Sequence, residues 1–129
     1  MGFKDMVASV SGDAKGMLDL AGDKLMQWLD EYKKATQQLE AIGFKVGKMT
    51  VGMGALPEVH TSLVGEIDNV DVARLTVMME EKKDDKLLVM LLKALVLAKK
   101  VHGHVDSTLK SVTLHATLGL PPSVSVELA

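Results

Sequence analysis

The sequence predicts an α+β fold, a two-layer sandwich in the order helix–hairpin–helix–hairpin (αββαββ). A four-stranded antiparallel sheet is covered by helices on one face. The apolar period changes from 3.6 to 2, returns to 3.6, and changes to 2 again along the chain. Each period-2 stretch is interrupted by "GALP" or "GLPP", the glycine–proline chemistry of a hairpin turn. The 129 residues fit one domain, 1–129, with enough chain to bury a core without disulfides.

Residues 3–42 read as helix. Leu18, Leu25, Tyr32 and Leu39 recur every seven residues, with Ala21, Trp28, Ala35 and Ile42 as a companion row. Two such rows make one apolar stripe, and Gly43 follows it where a helix stop is expected. Upstream, Phe3, Met6, Val7 and Val10 repeat the stripe, but Gly12 and Gly16 interrupt it. Each glycine costs about 1 kcal/mol relative to alanine inside a helix. Residues 1–12 are therefore expected as a separate, mobile amphipathic helix, and the firm helix from about residue 14.

Met49, Val51 and Met53 then alternate with Lys48, Thr50 and Gly52, and Val59, Thr61, Leu63 and Ile67 alternate with Glu58, His60, Ser62 and Glu66. This is a hairpin with one apolar and one polar face. Its glycines at 47, 52, 54 and 65 point to a bulge or a close backbone approach. The next helix can be capped by Asp68, Asn69 or Asp71, and "EEKKDD" is a polar break at which it kinks or splits. Its second part, Leu87–Val101, is apolar nearly all round and is expected to be covered on more than one side. The last hairpin alternates Val112, Leu114, Ala116 and Leu118 with Ser111, Thr113, His115 and Thr117, then Val124, Val126 and Leu128 with Ser123, Ser125 and Glu127.

The hairpins resemble each other: "MTVGM" matches "VTLHA", and "GALPEVHTSL" matches "GLPPSVSVEL". We read this as duplication of a helix–strand–strand unit. The order is also that of a ferredoxin-like chain circularly permuted to start at its first helix. That topology places strands two and four at the centre and strands one and three at the edges.

Composition narrows the function. AVILMFWYC make up 47%, and the 11 glycines of 129 residues raise the apolar share to about 55%, above the roughly 45–50% usual for both together. A second copy, a protein partner or a lipid-like ligand is the expected cover for the excess. The formal net charge of -2 and 3% aromatics argue against nucleic acid. No apolar run reaches the length of a membrane span, although peripheral contact through residues 3–10 is compatible with their pattern. The lack of Cys suits a reducing compartment, so we expect a cytoplasmic protein.

Two groups of residues resemble chemical sites. "HGHVD" places His102, His104 and Asp106 close together, but a metal needs three or four ligands converging at about 2 Å. The HxHxD string is similar to a metallo-hydrolase motif that continues into another His, where this chain has Ser107. We expect no metal and read the segment as a helix end, where His near the last carbonyls is favoured by the dipole. His60 and His115 fall on the polar sheet face beside Glu58, Ser62, Thr113, Thr117, Ser125 and Glu127. Such a wall suits hydrogen bonding or acid–base work. Motifs such as GxSxG, GxxxxGK[ST], GxGxxG and HExxH do not occur. We expect no cofactor and no catalytic residue. The resulting expectation is a non-catalytic interaction module, a homodimer through its apolar helices. The alternative is a small enzyme or ligand binder centred on His60 and His115.

Overall fold

The computed structural model describes residues 12–129, with α1 side chains described from Gly22 onward; the separate helix expected over residues 1–12 lies, but for Gly12, outside them. The elements run α1 (Gly12–Glu40), β1 (Lys45–Met53), β2 (Pro57–Glu66), a 3-10 turn (Ile67–Asn69), α2 (Val72–Glu81), α3 (Lys86–His104), β3 (Ser111–Leu118) and β4 (Ser123–Leu128). The α+β class and the alternation of helices with hairpins are those expected.

From Leu25 onward the heptad rows form the inner face of α1. Leu25, Tyr32, Ala35, Leu39 and Ile42 are buried, and Trp28 packs half-buried against the core. The helix stops at Gly43 (φ 96°), as its position predicts. Phe44 N–H donates to Leu39 O at 3.0 Å and Gly43 N–H to Glu40 O at 3.0 Å. This is a Schellman cap, and it directs Phe44 into the core beside Leu39. Gly65 answers on β2, since a Cβ there would lie 2.8 Å from three ring carbons of Phe44.

"EEKKDD" splits the second helix. Asp71 caps α2, accepting from Ala73 N–H at 3.0 Å and Arg74 N–H at 3.4 Å. The break follows over Lys82–Asp85, and α3 begins at Lys86. On α3 the side chains of Leu87, Leu88, Leu91, Leu92, Leu95 and Ala98 are buried. They pack over Val112, Leu114, Ala116 and Leu118 of β3 and the half-buried Val124, Val126 and Leu128 of β4. Full burial of each leucine contributes about 2 kcal/mol.

The strand order is β1-β2-β3-β4, a meander, which corrects the permuted ferredoxin-like arrangement. Strands two and three are central, and the edges are β1 and β4. The split helix is the cause. One helical pass would carry the chain to the far end of the sheet, ready for a strand parallel to β2. Two passes return it to the end it left, where Ile67 N–H donates to Lys110 O at 2.8 Å. β3 must then run antiparallel to β2, and it pairs directly beside it over Val59–Glu66 and Ser111–Leu118.

Candidate functional site

The polar sheet face carries cross-strand rows set by the register. One row is Lys48–Ser62–His115–Ser125, the next Thr50–His60–Thr117–Ser123. His60 Nε2–H donates to Glu58 Oε1 at 2.9 Å, and in that tautomer Nδ1 accepts from Thr117 Oγ1–H at 3.1 Å. His115 Nε2–H donates to Glu127 Oε1 at 2.9 Å. Both pairs are about half exposed, so water screens them and each contributes little to stability.

The sequence brought His60, His115, Glu58 and Glu127 to one face, and the structure adds how they pair. It also adds Lys48 and Thr50, which join His60, Ser62, His115 and Thr117 around an open groove of about 410 Å³. Only the register shows that neighbourhood, because β1 lies two strands from His115.

Chemically the groove offers donors and acceptors rather than an assembled nucleophile. Ser62 stands opposite His115, the place for a hydroxyl activated by a neighbouring imidazole. Its Oγ turns instead toward β1, where a Cβ on Gly47 would come within 2.9 Å of it. Gly47 lies in the β-bulge between Val46 and Lys48, which meets the expectation of a bulge at one of these glycines.

His102, His104 and Asp106 are not brought together as ligands. α3 runs through Gly103 and ends at His104. His102 Nε2–H donates to Leu109 O at 2.7 Å. Asp106 takes the left-handed position (φ 49°) of a second Schellman cap, with Ser107 N–H donating to His102 O at 3.0 Å and Asp106 N–H to Gly103 O at 3.3 Å. Among the described residues no three His, Asp or Glu side chains converge on a metal position.

The apolar surface is more pronounced. Met90, Ala94, Leu97 and Val101 recur every three or four residues along one flank of α3. Met90 and Ala94 are half-buried, but Leu97 is 59% and Val101 46% exposed. Coverage of α3 on more than one side, expected from its composition, thus stops at this flank among the described residues. Lys93 and Lys100, both exposed, flank the strip. A second strip lies on the helix side of β1, where Val46, Met49, Val51 and Met53 are exposed. No helix among the described residues is long and apolar enough to cross a membrane. Comparison with protein-family models, curated proteins and solved structures finds no match for this chain.

Proposed function

We propose that the protein is a non-catalytic interaction module that associates through its helical layer, as a homodimer in the first instance. The carrying observation is the α3 strip, Met90–Ala94–Leu97–Val101, which is apolar on a solvent-facing helix flank and edged by lysines. An apolar centre with a charged margin is the usual anatomy of an interface. A helix flank is convex, so it suits another protein surface better than a lipid-like molecule, which prefers a concavity. The absence of Cys suits work in the cytoplasm.

Native mass spectrometry of the full chain tests this reading. The wild type is expected as a dimer at micromolar concentration. Leu97→Glu is expected as a folded monomer, its dimer dissociation constant raised about 100-fold or more by a charge forced into an apolar contact. A wild type that stays monomeric, or an unaffected Leu97→Glu dimer, rejects association through this flank.

The His–Glu pairs support a second reading, a binder of a small polar ligand at the sheet groove. On the first reading His60→Ala and His115→Ala leave fold, association and partner binding unchanged. If a candidate ligand shifts the two imidazole resonances in an NMR titration, and each substitution weakens its binding, the second reading replaces the first.

A further inference from the structure

α3 packs over β4, a sheet edge whose outward backbone groups pair with none of the described residues. Ser111 and Ala129 exchange both backbone hydrogen bonds, at 2.8 and 3.0 Å. In an antiparallel ladder such pairs alternate. Thr113–Glu127, His115–Ser125 and Thr117–Ser123 are therefore the bonded pairs between β3 and β4. The N–H and C=O groups of Val124, Val126 and Leu128 point the other way, off the open edge. Their side chains face the helical layer. A strand added here bonds to the backbone of those three residues and continues the apolar face under α3.

The two sheet edges are not equivalent. β1 carries the β-bulge at Val46/Lys48, Gly47, Gly52 and two lysines, Lys45 and Lys48. These are devices that discourage edge pairing. β4, "SVSVEL", has no bulge, glycine, proline or lysine.

We infer that a second copy of the chain joins at β4, antiparallel and in register about Val126, to form one continuous eight-stranded sheet; this rests on the reading of the protein as a self-associating module. The register is self-complementary. With Val126 on the two-fold axis, Val124 of each copy pairs with Leu128 of the other, so every outward backbone group meets a partner and every apolar side chain an apolar one. The same axis sets the two α3 strips against each other. A contact the length of α3, about 28 Å for 19 residues, and about 20 Å deep through helix and sheet spans roughly 560 Å² on each copy. That clears the roughly 1,000 Å² total of a specific interface. A two-fold contact also closes, whereas β4 on β1 would propagate into a filament. On the polar face Glu127 then stands opposite Ser125 of the second copy, so the His115–Glu127 pairs of both copies share one groove.

The test is amide hydrogen exchange on the full chain, resolved by residue and read below and above the dimerisation concentration. Dimerisation is expected to slow the Val124, Val126 and Leu128 amides about tenfold or more, while those of Met49, Val51 and Met53 do not change. Val126→Pro removes an N–H that β3 does not use, so the internal ladder survives. It is expected to weaken the dimer about tenfold or more with the circular-dichroism spectrum unchanged. If Val126→Pro unfolds the chain, the wild-type exchange pattern decides alone. Dimerisation that protects the β1 amides instead, or neither edge, overturns the β4 junction. If Leu97→Glu still abolishes the dimer in that case, the helical module stands without the shared sheet. A wild type monomeric at every concentration removes both.

Discussion

Gly65→Ala destabilises the fold by about 1–3 kcal/mol, the cost of overpacking a filled core. The new Cβ would sit 2.8 Å from Cδ2, Cε2 and Cζ of Phe44, well inside van der Waals contact. Phe44 cannot swing away cheaply. It is 1% exposed, and its backbone is held by the cap that ends α1. β2 cannot retreat either, because Gly65 is paired with Val112 in the middle of the sheet. Phe44→Leu also destabilises, through lost contact, but it opens the space that alanine needs. In the double variant the loss is therefore smaller than the sum of the single losses by at least about 0.5 kcal/mol, as for residues in contact. Urea unfolding of the four proteins measures it. Strict additivity would show that the ring does not press on β2.

The same glycine marks how far the sequence carries. Its type suggested a close approach, but nothing in the local pattern could say that the visitor is Phe44. Periodic features were legible because they depend on neighbours in the chain: the inner face of α1, the stop at Gly43, and the two faces of each hairpin. Topology was not, because it turned on whether "EEKKDD" bends one helix or separates two, and both outcomes have the same composition. The uncovered flank of α3 was hidden for a related reason. A helix apolar on all sides carries no mark of which side the chain leaves open. At the polar face the residue types were visible, whereas the placement of Lys48 beside His115's row needed the register across three strands. Thr61 was read only as a member of an apolar row, yet its hydroxyl is the partner of Tyr32.

That partnership predicts how the protein fails in alkali. Tyr32 OH and Thr61 Oγ1 lie 2.7 Å apart, and both residues are 4% exposed. Burial disfavours the phenolate and raises the Tyr32 pKa above its ordinary 10.0, only partly offset by hydrogen bonding from Thr61 and Thr36. The unfolded chain thus gives up this proton first. The stabilisation is fully present below pH 10.0 and is lost as pH rises from there through the folded-state pKa, at up to about 1.4 kcal/mol per pH unit. Tyr32→Phe removes that dependence. At neutral pH it costs about 1–3 kcal/mol, because the buried Thr61 hydroxyl loses its partner. Above pH 10.0 the stability of the variant falls less steeply with pH than that of the wild type, and the two curves converge. Lysine titration is common to both proteins, so the difference between the curves isolates the phenol. As Tyr32 is the sole tyrosine, tyrosinate absorbance reports the same ionisation directly. Its midpoint in the folded protein lies above that in urea. Coincident midpoints, or parallel stability curves, would mean that the phenol is wet and that α1 does not seat on β2 through this bond.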